Sequence, residues 1–166
     1  MLRSLVGSEM CIRDRDYIQE LSRVLRYTLQ SNESQSVSLR EEMEFASAYI
    51  FLLKMRFENN LQFDIQIAKS FEDYRLPPMA VQVLIENAVK HNEISDRKPL
   101  TIHIVTNNEG YLSVSNDIQP KRTAASGTGI GLVNLAKRYR LLFKQDIQIT
   151  EDKEFSVCIP LIDEVQ

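Results

Sequence analysis

The stretch LIENAVKHN at residues 84–92 guides how the rest of the sequence is interpreted. A Pro-Pro pair at residues 77–78 precedes it, and proline suits the first turn of a helix, where its missing amide hydrogen is not needed. We therefore predict a helix that opens at these prolines and runs to the end of the stretch. On such a helix Asn87, Lys90 and His91 stand at positions i, i+3 and i+4, so their side chains project from one face.

These three side chains suit a magnesium ion bound together with a triphosphate. The neutral amide oxygen of Asn87 can take one position on a metal that otherwise keeps water and phosphate oxygens. The ammonium of Lys90 can meet a phosphate oxygen. The alternative is a solvated helix face, on which a Glu86–Lys90 pair would contribute about 0.3–0.5 kcal/mol. The stretch alone leaves both interpretations open.

A glycine-rich segment, SGTGIGL at residues 126–132, comes just before a second predicted helix at residues 129–143. Glycine lets the backbone approach an anion closely, and a helix start offers free amides and a favourable dipole. The spacing G-x-G-x-G is neither the dinucleotide fingerprint nor a Walker A loop. The alternative is a tight turn with a glycine-lined helix start.

The remaining pattern alternates between helices and strands. A helical pattern starts at Asp16, a polar linker covers residues 31–36, and a capping box of Ser38 and Glu41 opens a helix that ends at Asn59-Asn60. Apolar and polar residues alternate, as in half-buried strands, at residues 61–67, 100–106, 111–115, 147–150 and 155–160. Helices paired with a mostly antiparallel sheet predict a two-layer α/β (α+β) sandwich, preceded by a helical hairpin.

Residues 1–15 differ from the rest of the chain. Their apolar run is too short for a secretory signal. They resemble a translated cloning or sequencing-adaptor scar, and the alternative is a native helical lead-in. We expect a helical region at residues 16–58 and the sandwich at residues 59–166.

Composition excludes several classes of protein. Of 166 residues, 43% are hydrophobic and 26% charged, which is ordinary for a globular domain. The net charge of -3 and the isoelectric point near 5.5 argue against direct nucleic-acid binding. No apolar run approaches the ~20 residues that span a bilayer. With two cysteines, neither a disulfide framework nor a cysteine-rich metal site is expected.

The two motifs, in this order and with two strands between them, resemble the ATP-binding boxes of the GHKL superfamily. More narrowly, residues 16–161 resemble the cytoplasmic end of a LytS-like sensor histidine kinase. The segments that carry the resemblance are LSRVLRY (21–27), VSLREE (37–42), residues 49–57, LPP (76–78), LIENAVKH (84–91), and GTGIGLVN (127–134) with Arg138. The resemblance implies a Bergerat-type GHKL ATP-binding fold. Residues 16–58 would then be the end of the dimerisation and phosphotransfer helices, and residues 59–166 the ATP-binding catalytic (HATPase) domain.

The resemblance also implies roles for individual residues. Asn87 would bind Mg²⁺, and Glu86 would order the water around the metal, which makes these two the expected catalytic residues. Lys90 would contact phosphate, and His91 would line the same site. The implied lid over the phosphates consists of Gly127, Thr128, Gly129, Ile130, Gly131 and Leu132.

The segment where the family binds adenine departs from its pattern. Related kinases have an Asp followed by glycine here, whereas this chain has Asn116, Asp117 and Ile118. The amide oxygen of Asn116 can accept from an adenine amino group, but the charge-assisted contact is lost. Asp117 could substitute after a one-residue shift, although strand alternation would point it to the other face.

Neither histidine fits the family's phosphoacceptor. His91 belongs to the nucleotide motif, and His103 occupies an alternating strand position, which favours a solvent-facing or hydrogen-bonded sheet residue. The acceptor motif is expected upstream of Asp16. We therefore expect this fragment to bind ATP without phosphorylating itself.

The implied function is the catalytic step of a two-component system. The domain would supply the γ-phosphate of ATP for histidine autophosphorylation and onward transfer to a response regulator, such as one of LytTR type. The parent would be a homodimer, and this region the cytoplasmic part of a bacterial sensor anchored in the inner membrane. Two alternatives stay open: an ATP-deficient regulatory or dimerisation module, suggested by the altered adenine segment, and another GHKL ATPase, against which the helical lead-in argues.

Overall fold

The computed structural model describes residues 2–31, 33–123 and 129–164. Four α-helices lie in this part of the chain: α1 (Leu2–Ser31), α2 (Leu39–Phe57), α3 (Ala80–His91) and α4 (Ile130–Phe143). The strands are β1 (Val37–Ser38), β2 (Leu61–Gln66), β3 (Arg75–Leu76), β4 (Leu100–Thr106), β5 (Tyr111–Asp117), β6 (Gln148–Glu151) and β7 (Glu154–Pro160).

Five of the strands form one sheet in the order β2-β4-β5-β7-β6. β2 and β4 are parallel, with Leu61 opposite Leu100, and the other neighbours are antiparallel. β1 and β3 form a separate two-stranded pair. The predicted mostly antiparallel sheet is confirmed.

One face of the sheet carries the core, because its apolar residues alternate with polar ones. Along β4 the side chains of Leu100, Ile102 and Ile104 are buried, while the residues between them are more exposed. These side chains belong to one hydrophobic cluster with residues of α2, α3 and α4. The predicted two-layer α/β sandwich is therefore confirmed.

Helix α1 is longer than the sequence pattern predicted. It begins at Leu2 rather than at Asp16, so residues 2–15 continue the same helix; they contain no proline to break it. α1 packs against α2, where the rings of Tyr27 and Phe45 stack with centroids 4.2 Å apart. No helix in the described part of the chain combines the length and apolarity needed to cross a membrane.

The predicted capping box at the start of α2 is present. The Ser38 hydroxyl accepts from the Glu41 amide at 3.2 Å, and the Glu41 carboxylate accepts from the Ser38 amide at 2.9 Å. Two amides that have no partner within the helix are thereby satisfied.

Helix α3 starts later than predicted. It begins at Ala80, and Met79 precedes it in the left-handed conformation, with φ 65°. The cause is tertiary, because the buried carboxylate of Glu42 accepts hydrogen bonds from the amides of Met79 and Val81 at 3.0 and 2.9 Å. A side chain 37 positions earlier in the sequence therefore caps α3, and the prolines lie before the helix rather than in its first turn.

Strand β5 is longer than predicted. It continues past Ser115 because Asn116 pairs with Phe155 and Asp117 with Glu154 of β7. The segment expected to bind adenine therefore lies at the end of a strand.

Candidate functional site

The candidate site is built on the exposed face of α3. The opposite face buries Val81, Leu84, Ile85 and Ala88 in the core, which fixes the rotation of the helix. Glu86, Lys90 and His91 are consequently exposed, and Asn87 is half-buried beside them. The structure therefore places these side chains on one helix face, as their spacing in the sequence predicted.

A small cavity joins this face of α3 to the start of α4. It has a volume of about 70 Å³, and Glu86, Asn87, Lys90 and His91 line one side of it. Its other side is formed by Gly129, Ile130, Gly131 and Leu132. The two motifs that the sequence separates by almost forty residues thus face each other across this cavity, which we call the small cavity.

Two glycines shape the α4 side of the small cavity. Gly129, which has no side chain to cap the helix, precedes it with φ 61°, and that conformation is costly for residues other than glycine. A Cβ on Gly131 would lie 3.4 Å from Cγ1 of Val83, so α3 and α4 approach closely here. Of the predicted lid, Gly127 and Thr128 lie outside the described residues.

A larger cavity of about 700 Å³, here called the apolar cavity, adjoins the same helices. Apolar side chains of α4 line it, including Leu132, Val133 and Ala136, and Phe155 of β7 contributes to its wall. Polar groups stand among them, including the amide of Asn87. A largely apolar pocket of this size with a few polar groups is typical of a site for a small organic ligand.

The predicted adenine residues occupy different positions relative to this cavity. Asn116 is buried, with 2% of the residue exposed, and its side-chain amide nitrogen donates to the Asp117 carbonyl at 2.8 Å. Its strand partner is Phe155, so both point to the same face of the sheet. Asp117 is exposed, as strand alternation predicted, and Ile118 is the residue of this segment that lines the cavity.

Asn92 is a site residue that sequence reasoning missed. It lines the apolar cavity and is only 5% exposed. Its amide nitrogen donates to the Ala88 carbonyl at 2.8 Å, and its oxygen accepts from the Gln119 amide at 2.7 Å. Asn92 therefore fixes the end of α3 to the loop that follows β5. The sequence offered one indication of this role, because Asn92 directly follows His91 in the stretch LIENAVKHN.

The other histidine lies away from these cavities. His103 is on β4, and its Nδ1 is 3.1 Å from a carboxylate oxygen of Asp64 on β2. The prediction of a sheet histidine is confirmed. Hydrogen bonds from Gln66 and then from His103 hold the pKa of Asp64 below its usual range.

The side chains of this site suit a magnesium ion that is shared with a phosphate ligand. They suit less well a metal ion that is bound by protein side chains alone. In the described part of the chain, no three His, Cys, Asp or Glu residues stand close enough to hold a metal ion together. Magnesium commonly binds through one or two protein oxygens together with water and substrate phosphates. Asn87 and Glu86 could supply these oxygens.

A buried carboxylate supports the site from behind. Glu42 is 0% exposed, accepts from the Tyr27 hydroxyl at 2.9 Å and caps α3. Burial raises the pKa of Glu42, and burial followed by the nearby Glu42 charge raises that of Tyr27. Arg138 of α4 donates to the Pro78 carbonyl at 3.0 Å. All four helices are thus connected at the start of α3, which the sequence pattern did not reveal.

Comparison with known proteins agrees with this geometry. The family model described as Histidine kinase matches residues 1–61, a range that includes residues 1–15. The chain is 34% identical over 151 residues to Sensor protein LytS of Streptococcus mutans. This match covers 81% of this chain and 26% of that protein. It is 32% identical over 141 residues to Sensor protein LytS of Streptococcus agalactiae, with 76% and 24% covered. The chain therefore spans about a quarter of the length of these relatives.

Solved structures show the same fold. The catalytic domain of histidine kinase ThkA superposes with a TM-score of 0.53 at 18% identity, over 77% of this chain and 99% of that domain. The resemblance predicted from the sequence motifs is confirmed. The chain is a LytS-like sensor histidine kinase region, with the fold of a histidine kinase catalytic domain.

Proposed function

We propose that this chain binds ATP with Mg²⁺ and acts as the catalytic domain of a sensor histidine kinase. The observation that carries this proposal is the small cavity, in which Asn87 and Lys90 of α3 face Gly129 and Gly131 of α4. The match to the family model described as Histidine kinase supports a reaction in which the γ-phosphate passes to a histidine. Similarity to the LytS sensor proteins supports onward transfer to a response regulator.

The cavities suggest how the parts of ATP would be divided between them. The adenine ring would enter the apolar cavity, and the phosphates would cross α3 at Lys90. Among the described residues no side chain caps the start of α4, so its first amides would donate to phosphate oxygens. Asn87 would hold Mg²⁺ and Glu86 a water bound to it. When bound, the metal neutralises phosphate charge.

In this arrangement the chain contributes position and charge rather than covalent chemistry. Lys90 and the α4 amides would fix the phosphates, so that the terminal one is open to attack by an imidazole nitrogen. The acceptor we propose is neither His91, which lines the small cavity, nor His103, which is paired with Asp64.

Titration with ATP or a fluorescent ATP analogue, with and without Mg²⁺, tests the site. We expect Asn87→Ala to weaken binding in Mg²⁺ by about ten-fold or more, the usual effect of losing one interaction with a charged group. Asn108→Ala, an exposed turn position outside these cavities, is the matched control. Unchanged Mg²⁺-dependent binding in Asn87→Ala would refute the site.

Phosphoryl transfer is tested separately. Radiolabelled ATP is incubated with this chain and the histidine-bearing helical segment of its parent, and label on the histidine is measured. Transfer to the histidine, and then to a response regulator, is the expected result. ATP binding with no transfer would reject the kinase assignment while leaving the ATP site intact.

A second candidate is a regulatory or dimerisation module that no longer uses ATP. The observation that favours it is Asn116, whose amide is buried and hydrogen-bonded to the Asp117 carbonyl, where the family pattern has a carboxylate. Calorimetry decides between the two. A dissociation constant in the millimolar range or weaker, with the fold intact, would favour the regulatory module.

A further inference from the structure

A second large cavity lies on a different side of α3, between that helix and the C-terminal half of α2. Its volume is about 1120 Å³. Six basic and two acidic side chains line it: Arg56, Lys90, Arg97, Lys98, Lys121, Arg122, Glu86 and Glu93. We call it the cationic cavity. Since the whole chain has a net charge of -3, this concentration of positive charge is local.

The two carboxylates leave most of this charge unbalanced. Lys98 forms an ion pair with Glu93, with Nζ 3.0 Å from Oε2. That lysine, and more weakly Arg122, hold the pKa of Glu93 below its usual range. Within the described residues, Arg56 and Lys121 form no ion pair. A concave surface with unpaired cations raises the local concentration of anions.

The guanidinium of Arg56 lies over an aromatic ring. Its guanidinium carbon lies 4.9 Å from the ring centroid of Phe57. Stacking on an aromatic ring engages the guanidinium face and leaves its N–H edges available. Those edges match the oxygens of a phosphate group in pairs.

Tyr49 adds a neutral hydrogen-bond donor to the same wall. Burial, followed by the charge of Glu86, raises the pKa of Tyr49 to about 12. A tyrosine hydroxyl is already protonated at neutral pH, and this shift moves its ionisation further from that range. The cationic cavity thus offers an uncharged O–H donor beside the guanidinium of Arg56.

The cationic cavity continues from the small cavity, because Glu86 and Lys90 line both. A phosphate chain that crosses α3 at Lys90 reaches the cationic cavity, because this lysine lines both cavities. The unpaired cations of the cationic cavity therefore adjoin the place where the chain would cross the helix.

We propose that the cationic cavity binds the terminal phosphates of a polyphosphate chain, with Arg56 of α2 and Lys121 of the loop after β5 as binding residues. Identifying the chain as that of ATP rests on the proposed function. Arg56 lies on α2, Arg97 in the loop between α3 and β4, and Lys121 in the loop after β5. A bound phosphate would therefore hold α2 and these two loops together beside α3.

Calorimetric titration of the full chain with ATP, AMP and inorganic tripolyphosphate, all with Mg²⁺, tests this proposal. We expect Arg56→Ala to weaken ATP and tripolyphosphate by about ten-fold, which corresponds to about 1.4 kcal/mol, and to leave AMP within about two-fold. Lys121→Ala should act in the same direction. Lys54→Ala is the charge-matched control, because Lys54 is exposed on α2 and does not line the cavity.

Comparing the three ligands shows whether the cationic cavity, the proposed ATP site or both are wrong. Equal ATP affinity in wild type, Arg56→Ala and Lys121→Ala overturns the cationic cavity and leaves the ATP site standing. Tripolyphosphate binding that depends on Arg56, without binding of ATP or AMP, supports the cavity and rejects the nucleotide. If wild type binds neither tripolyphosphate nor ATP, both proposals fail. Arg56 and Lys121 are exposed, so thermal unfolding is expected to confirm that both variants fold.

Discussion

The Glu42 carboxylate is buried among three helices, where it accepts from two amides at the start of α3 and from the Tyr27 hydroxyl. Burying a charge costs free energy unless hydrogen bonds compensate for it. Here three donors, each at 2.9–3.0 Å, supply part of that compensation, and burial still raises the pKa of the carboxyl. A carboxylate at the start of α3 also interacts favourably with the positive end of the helix dipole. Glu42 therefore holds the start of the helix whose exposed face carries Asn87.

Glu42→Gln is expected to lower the free energy of unfolding by about 1–3 kcal/mol, the cost of a buried polar group without a partner. The substituted amide nitrogen would face the amides of Met79 or Val81, so donors would meet donors. Urea denaturation followed by circular dichroism measures the change. Glu44→Gln, exposed on the same helix, is the control and should stay within about 0.5 kcal/mol of wild type.

The same residue predicts a pH dependence. Because burial raises the pKa of Glu42, the folded chain holds this proton more tightly than the unfolded chain does. Its contribution to the free energy of unfolding is greatest below the unfolded pKa, about 4.3, and falls as pH rises through the raised folded value. The stability advantage of wild type over Glu42→Gln should therefore narrow from pH 4 to pH 7. A constant difference would contradict the assignment.

At the scale of elements, the capping box decides where α2 starts. Ser38→Ala removes the hydroxyl that accepts from the Glu41 amide and is expected to cost about 1 kcal/mol of unfolding free energy. Ser47→Ala is the matched control, because that exposed hydroxyl donates to the Met43 carbonyl within the same helix. Chemical denaturation of both variants measures the difference. Equal stability of the two would mean that the cap does not stabilise the helix.

The capping box has the opposite pH dependence to Glu42. The Ser38 amide, more than any other group, holds the pKa of Glu41 below its usual range. The resulting stabilisation is present above the unfolded pKa, about 4.3, and is lost as pH falls through the lowered folded value. The advantage of wild type over Glu41→Gln should therefore shrink on going from pH 7 to pH 3.

Elements set by local chemistry could be predicted from the sequence, and those set by distant contacts could not. The α2 cap and the exposed face of α3 follow from side chains within four positions of each other. The start of α3 depends on Glu42, which is 37 positions away. The two-residue strands β1 and β3 exist through pairing with each other, and two residues carry no periodic pattern. β5 exceeded its prediction because β7 continues to pair with it.

At the scale of the whole molecule, the sequence does not show which distant residues the fold brings together. The motifs at α3 and α4 were recognisable because each one is contiguous in the chain. The charged residues of the cationic cavity extend from Arg56 to Arg122 with no recognisable spacing. Asn116 could be identified as unusual, but its bond to the Asp117 carbonyl required coordinates. Local motifs thus indicated the helix faces of the site, whereas the fold defines its cavities.

We expect only the C-terminal part of α1 to belong to the folded unit. Residues 9–15 are exposed, whereas Tyr27 donates to Glu42 and stacks on Phe45. A chain that begins at Asp16 should match the full chain within about 0.5 kcal/mol of unfolding free energy. A chain that begins at Glu33 loses both Tyr27 contacts and should be at least about 2 kcal/mol less stable.

Urea denaturation of the three chains under one set of conditions makes the comparison. A shared denaturant slope is the control, because a change in slope would indicate a different amount of buried surface. If removing residues 1–15 cost as much as removing all of α1, these residues would belong to the folded unit. If neither truncation had an effect, the Tyr27–Glu42 contact would not connect α1 to α3. The expected order places the stabilising part of α1 in its last turns, where Tyr27 donates to the carboxylate that caps α3.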